Sequence, residues 1–153
     1  MSARTVILDM SEDLPRAFAV IKELRGGLDL AEFTRVARLA SSADGYRLIA
    51  REVQELSGNS RKWRVAAVMG CRILHDMVHG SHLYVDDLVT AKDDRGQGHG
   101  AELLRWAESE ARRLGLTGLR LSVGLENDGA RRFYEREGWT VRSFVFKKKV
   151  ETH

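Results

Sequence analysis

The sequence predicts an α+β fold: a twisted, mostly antiparallel sheet that turns locally parallel around one glycine-rich loop. Three observations carry this. Strand-like runs follow one another with short connections between residues 46 and 90, the mark of an antiparallel meander. An amphipathic helix then separates the run His82 to Thr90 from the run Leu119 to Val123, and a strand–helix–strand crossover returns its second strand parallel to the first. Between that strand and that helix, Gly96, Gly98 and Gly100 alternate immediately after Arg95.

Taken in order, Thr5 to Leu8 is a short β-rich run. Ser11-Glu12-Asp13-Leu14-Pro15 reads as a helix start, with a polar cap, early acids and a proline near the first turn. Phe18, Ile21 and Leu24 carry that helix to a stop at Gly26-Gly27. Asp29 caps a second helix with an apolar stripe of Leu30, Phe33, Val36, Ala37 and Leu39, and residues 41–45 form a turn. Strands are expected at Tyr46 to Glu52, Trp63 to Leu74 and His82 to Thr90. Gln54 to Lys62 is the polar tip of the first hairpin, and Gly80-Ser81 the turn of the second. Leu103, Leu104, Ala107, Ala111 and Leu114 make the buried stripe of a helix that ends at Gly115. Leu119 to Val123 is a strand, Asn127 to Arg136 a short helix, and Trp139 to Lys149 a final strand.

The 153 residues suit one domain with its own core, and 43% hydrophobic with 31% charged residues is the composition of an ordinary globular protein. A formal charge of +3 fits an anionic ligand and is too small to argue for nucleic acid. No apolar run reaches signal-peptide or membrane-spanning length. Cys71 has no internal disulfide partner and reads as a small apolar strand residue, so a cytoplasmic location is expected.

The loop carries the chemistry. Glycines leave room for a ligand and accept positive φ, and the unpaired amides of the first helical turn add partial positive charge; with Arg95 beside them, the fitting ligand is a phosphate or diphosphate. A Walker A loop is excluded, because Gly100 is followed by Ala101-Glu102 where Lys and Ser or Thr are needed. Gly96-x-Gly98-x-x-Ala101 satisfies the letters of a dinucleotide fingerprint. Ala91 to Arg95, however, separate it from its strand, and Glu126 is a distant candidate for the ribose-binding acid.

Arg95-x-x-Gly98-x-Gly100 resembles the acetyl-CoA loop of the GNAT N-acetyltransferase superfamily, and Asn127-x-x-Ala130-x-x-x-Tyr134-x-x-x-Gly138-Trp139 is similar to the second part of the same signature. The resemblance is strongest over residues 46–146. It implies a central mixed sheet of about six to seven strands flanked by about four helices, with a splayed parallel strand pair at the cofactor site. It also implies an acetyl-CoA-dependent N-acetyltransferase that acts by direct attack of a primary amine, with no metal. The diphosphate would lie on the amides of Gly96, Gln97, Gly98, His99, Gly100 and Ala101 beside Arg95. The pantetheine arm would run along Leu88, Val89 and Thr90, with the Val89 amide as oxyanion donor. Asn127 and Ala130 would contact the cofactor. The resemblance makes Tyr134 the general acid, because a phenol remains protonated at neutral pH and can protonate a leaving thiolate. Arg131 and Arg132 are candidates for the 3′-phosphate. A homodimer through the C-terminal strands is plausible on the same ground, and no nucleic acid or membrane partner is expected. The departures are modest: no proline follows the third strand, and the base position holds Asp where Glu is common.

Asp86 and Asp87 interrupt an apolar strand, where adjacent side chains should point to opposite faces and Asp86 should share its face with Tyr84 and Leu88. Either acid could serve as base through a water, attract a cationic amine, or pair with an arginine such as Arg47, Arg72 or Arg120. His75-Asp76-Met77-Val78-His79 nearly spells a zinc-protease motif, but it sits at a strand end and lacks the helix and the Glu which that chemistry needs. Lys147 to Lys149 read as a solvated chain end. Alternatives to a small-molecule acetyltransferase are a CoA-binding sensor without turnover, a protein N-terminal or lysine acetyltransferase, and a dinucleotide-binding protein.

Overall fold

In the computed structural model, which describes residues 2–152, the meander becomes the middle of a five-stranded sheet in the order β1-β2-β3-β4-β5. The chain divides into two units, one ending at Leu121 and one beginning at Ser122. The sheet belongs to the first unit, which runs β1 (Ala3–Ile7), α1 (Leu14–Ile21), α2 (Leu30–Asp44), β2 (Arg47–Ser57), β3 (Ser60–Asp76), β4 (Gly80–Thr90), a 3-10 turn (Lys92–Asp94), α3 (His99–Leu114) and β5 (Leu119–Leu121). Strands β1 to β4 are antiparallel neighbours, and β5 returns parallel to β4 as the crossover requires.

Local chemistry sets the boundaries. Asp29 caps α2 by accepting the Glu32 N–H at 2.8 Å. The helix runs on through the residues expected as a turn until Gly45 stops it at φ 67°. The first hairpin tip is shorter than expected, because β2 and β3 stay paired out to Ser57 and Ser60. The second turn falls at residues 77–79, where Asp76 Oδ1 accepts the amides of Val78 (3.0 Å) and His79 (2.6 Å).

Alternation along the strands feeds two cores. On one face Leu48, Val68 and Val89 pack with Leu14, Ala17 and Phe33 of α1 and α2. On the other Ile49, Met69, Cys71, Leu83 and Val85 pack with Leu103 and Ala107 of α3. Of the α2 stripe only Phe33 and Ala37 are buried; Leu30, Val36 and Leu39 remain exposed. Glu52, buried on β2, accepts Arg4 of β1 at 2.8 Å and Arg16 of α1 at 2.7 Å, which ties α1 to the sheet.

One irregularity reorganises the sheet. Cys71 lies opposite Val85 and Gly70 opposite Asp87, so Asp86 is an extra residue in β4 and the alternation changes phase there. Ahead of the bulge Leu83 and Val85 face α3; beyond it Val89 faces α1 and α2, while Leu88 packs on the α3 side. Asp86 and Asp87 consequently share the α1/α2 face. This overturns the expectation that adjacent acids diverge, and it separates Asp86 from Leu88. Beside the bulge, Tyr46 lies over Gly70 so closely that a Cβ there would sit 1.9 Å from the phenol oxygen and 2.5 Å from the ring. Pairing of β4 with β5 covers only Leu83 to Val85, so from Asp86 to Thr90 β4 has no β5 partner.

The second unit holds α4 (Asp128–Arg136). Asn127 Oδ1 caps it by accepting the Ala130 N–H at 3.0 Å. Tyr134 packs edge-on with Phe133 (5.2 Å between centroids) and Trp139 (5.8 Å). The final strand expected over Trp139 to Lys149 is not formed: residues 139–152 are neither helix nor strand, and Phe144 and Phe146 are exposed. A strand exists only with a neighbour to take its amides, and this unit contains no other strand among the described residues. The sheet therefore has five strands, below the six or seven expected; the four helices are as expected.

Gly70→Ala should lower unfolding stability by about 1–3 kcal/mol, because the buried Tyr46 ring cannot swing away from the new methyl. Urea melts of wild type and variant check this, and an unchanged midpoint would contradict the packing.

Candidate active site

The glycine loop opens α3 in a left-handed turn. Gly96 and Gly98 take φ of 76° and 83°, and Gly98 is the N-cap of α3. Among the described residues no main-chain or side-chain acceptor is recorded for the amides of Gly96 through Ala101, whereas the next amide, Glu102, bonds Gly98 O at 3.0 Å. The ring of His99 is buried with neither nitrogen partnered, and burial, aided by Arg51, lowers its pKa and favours the neutral form. His99 thus offers the loop its main chain. The approach to the loop is pinned: Asp94 is buried and takes both Nη atoms of Arg64, at 2.6 and 2.9 Å, and Glu23 accepts the Lys92 amide at 3.1 Å. Hydrogen bonds from Arg64 hold the Asp94 carboxyl below the usual range.

Beyond the bulge, the open edge of β4 points backbone groups away from β3 in a fixed order. The Ala91 N–H bonds Ala66 O at 2.8 Å, which marks 91 and 66 as a hydrogen-bonded pair in register with Val89–Val68. Antiparallel pairs alternate, so Val89 spends its N–H on β3, while Leu88 and Thr90 present theirs to the open edge. The outward amide is that of Leu88, one residue from the expected Val89. Arg95 agrees with this phase, since its Nε reaches the outward Thr90 O at 3.3 Å.

Next to the bulge a cavity of about 390 Å³ opens between α1, α2 and the sheet. Its apolar wall comes from Ile21, Leu28, Phe33, Val36 and Ala40, and its polar end holds Arg25, Tyr46, Arg72, Asp86 and Asp87. Arg72 Nε lies 3.2 and 3.1 Å from the two oxygens of Asp86. Tyr46 donates to Asp87 Oδ2 at 2.7 Å, and Arg25 donates to Oδ1 from Nη2 at 2.9 Å and from Nε at 3.3 Å. Burial raises the Asp86 pKa above the ordinary carboxylate value, against the lowering effect of Arg72. Burial and the Asp87 charge push the Tyr46 phenol far up, which keeps it a donor. Of the other arginines considered for the acids, Arg47 goes to Glu110 at 2.7 Å and Arg120 to Asp76 at 3.4 Å.

The first unit thus gathers Asp86, Asp87, Leu88, Val89, Thr90, Arg95 and the loop from Gly96 to Ala101. Asn127, Ala130 and Tyr134 stand in the second unit. There burial pushes the Tyr134 phenol up to about 12. Arg131 pairs with Glu135 at 3.4 Å. Burial likewise raises the Cys71 thiol to about 11, in keeping with a packed strand residue. No cluster of His, Cys, Asp and Glu suited to a metal exists among the described residues, and no described helix is long and apolar enough to cross a membrane. Sequence reasoning missed Arg25, Tyr46, Arg64 and Gly70: each supports the site from an element far along the chain, and no spacing links them.

An unpaired strand edge runs here into a helix start with unspent amides, beside a cavity that holds two carboxylates; the class of the protein, an acyltransferase, comes from its family. The chain belongs to the acetyltransferase (GNAT) family, which residues 18–139 match. It is 31% identical over 144 residues, 94% of its length and 96% of the relative's, to the uncharacterized N-acetyltransferase YhdJ of Bacillus subtilis strain 168. It is 33% identical over 145 residues, covering 90% and 86%, to the aminoalkylphosphonate N-acetyltransferase of Salmonella typhimurium. Among solved structures, the fold is similar to glucosamine-6-phosphate N-acetyltransferase from Arabidopsis thaliana (TM-score 0.73, 20% identity, 99% and 100% covered). It is also similar to the aminoglycoside N-acetyltransferase AAC(6')-Iy in complex with CoA (TM-score 0.78, 14% identity, 97% and 96% covered).

Arg64→Met should cost about 1–2 kcal/mol at neutral pH by stranding the buried Asp94. The lowered Asp94 pKa contributes stability that is present above the unfolded value near 4 and lost as pH falls through the folded one, so the gap between wild type and variant should close in acid. Urea melts from pH 7 down to pH 3 test the sign.

Proposed function

We propose that this protein transfers an acetyl group from acetyl-CoA to the primary amine of a small acceptor by direct attack, with the whole chain acting as one catalytic domain. The observation that carries the reading is the continuity of the outward groups of Leu88 and Thr90 with the unspent amides of Gly96 to Ala101. Together they offer hydrogen bonds to an extended amide chain that ends in a diphosphate. Arg95 adds charge beside the diphosphate, Gln97 and His99 contribute main chain, and Val89 holds the strand against β3. A small acceptor is supported by the cavity's size and by the Salmonella relative, named for aminoalkylphosphonates.

In this reading the acceptor's ammonium meets Asp86 and Asp87. Asp86, its carboxyl raised by burial, takes the proton through water, and Asp87, fixed by Tyr46 and Arg25, holds the amine by charge. The neutral nitrogen attacks the thioester carbon while the carbonyl oxygen faces the Leu88 N–H. The C–S bond breaks, and the thiolate takes its proton from Tyr134. With its pKa near 12, that phenol stays protonated across the working pH range. Asn127 and Ala130, at the start of α4, are proposed as further cofactor contacts on the strength of the family motif they belong to. The cytosol is the proposed location.

Release of free CoA thiol in the presence of primary amines tests the reaction; thiol release from no amine would refute it. Tyr134→Phe should lower kcat by about 10²-fold or more while acetyl-CoA affinity stays near wild type. Asp86→Asn should lower kcat/KM by a similar factor and abolish the acid limb of the pH–rate profile. Because folding raises the Asp86 pKa, its stabilising contribution is full only below the unfolded value and is lost as pH rises through the folded one. At pH 7 the Asn variant should therefore keep or exceed the wild-type melting midpoint, so a lower midpoint would count against a burial-strained base.

A further inference from the structure

We infer that the acceptor is zwitterionic: an amine joined through a short apolar segment to an oxyanion, either a carboxylate or a phosphonate. The inference rests on the acetyltransferase reading and names the class of molecule that the same cavity takes. Its basis is charge balance. The polar end of the cavity is lined by two carboxylates and two guanidiniums; a third acid, Asp44, lies outside that lining, is half exposed and so screened by solvent, and meets Arg72 only at 3.5 Å. Each acid is already matched, Asp86 by Arg72 at 3.1 Å and Asp87 by Arg25 at 2.9 Å. A simple ammonium would bring an uncompensated charge beside two guanidiniums, and a dianion would do the reverse. A molecule carrying one charge of each sign leaves the balance intact as it displaces water.

The donors to receive an oxyanion are present. Arg25 spends Nε and Nη2 on Asp87, and no partner is recorded for its Nη1 among the described residues. Arg72 spends Nε on Asp86 and reaches Asp44 from Nη1 only at 3.5 Å, with no partner recorded for Nη2. The planar fork of a guanidinium matches carboxylate and phosphonate alike. The side chain of Arg25 is half exposed just beyond the end of α1, so it can turn toward a ligand without unpacking the core. The apolar wall of Phe33, Val36 and Ala40 lies beside this polar end and suits an alkyl linker, whereas a polyamine would leave that wall unused.

The test compares an n-alkylamine, an α,ω-diamine, an ω-amino carboxylate and an aminoalkylphosphonate of matched chain length on the full chain. Thiol release gives turnover, and calorimetry with free CoA present gives binding. Both zwitterions, or one of them, should bind and react at least 10-fold better than the alkylamine, and the better arm identifies the oxyanion. Arg25→Met should collapse that ratio toward one, and Arg25→Lys should restore part of it, which a merely structural role for Arg25 would not do. Equal or better use of the alkylamine or diamine, a ratio untouched by Arg25→Met, or no binding of any arm would overturn the inference. Zwitterion binding that depends on Arg25 but releases no thiol would uphold it and refute the transferase reading instead. Rapid turnover of the diamine would do the opposite.

Discussion

The site depends on one surplus residue in β4. Asp86 has no partner in β3, and accommodating it shifts the alternation of everything that follows. The shift turns two adjacent carboxylates onto one face of the sheet, puts Val89 in the α1/α2 core and directs the backbone of Leu88 and Thr90 outward. Pairing with β5 ends at Val85, the residue before the bulge. The acidic end of the cavity and the outward phase of Leu88 and Thr90 therefore share an origin in a single local irregularity.

Such an arrangement needs support, because it buries charge. Tyr46 and Arg25 hold Asp87, Arg72 holds Asp86, and Gly70 gives up its side chain so that the phenol can reach across β3. The same logic recurs at the loop, where Arg64 of β3 meets the buried Asp94 just ahead of Arg95. In each case an arginine from a distant element neutralises an acid on the segment that bends. This keeps the backbone in place without filling the space a ligand requires. Asp86 is the exception in degree: burial outweighs its arginine and raises its pKa, a condition a proton acceptor can use.

Much of this was legible in the chain. The alternating glycines after Arg95, the stripe of α3 from Leu103 to Ala111 and its Gly115 stop depend on contacts within a few residues and appear where the spacing puts them, whereas Leu114, expected in the same stripe, is exposed in the last turn. The candidate salt bridge to Arg72 was legible as one of three options; the choice was not, since Arg47 and Arg120 found Glu110 and Asp76 through register. The assignment of the outward amide to Val89 missed by one residue because the hydrogen-bonding phase of a strand is set by its partner. The final strand was read from residues 139–149 alone, yet a strand is a relation between two segments, and nothing within its own unit pairs with it.

The amino-acid order by itself determined the class of fold, the place of the glycine loop ahead of α3 and the family, because these follow from local backbone freedom, helical periodicity and the spacing of a few side chains. Only the tertiary structure decided which faces Asp86 and Asp87 occupy, which arginines neutralise them, and which amides β4 leaves open. Those outcomes turn on cross-strand register, and one unpaired residue reverses register without leaving a mark in composition or pattern.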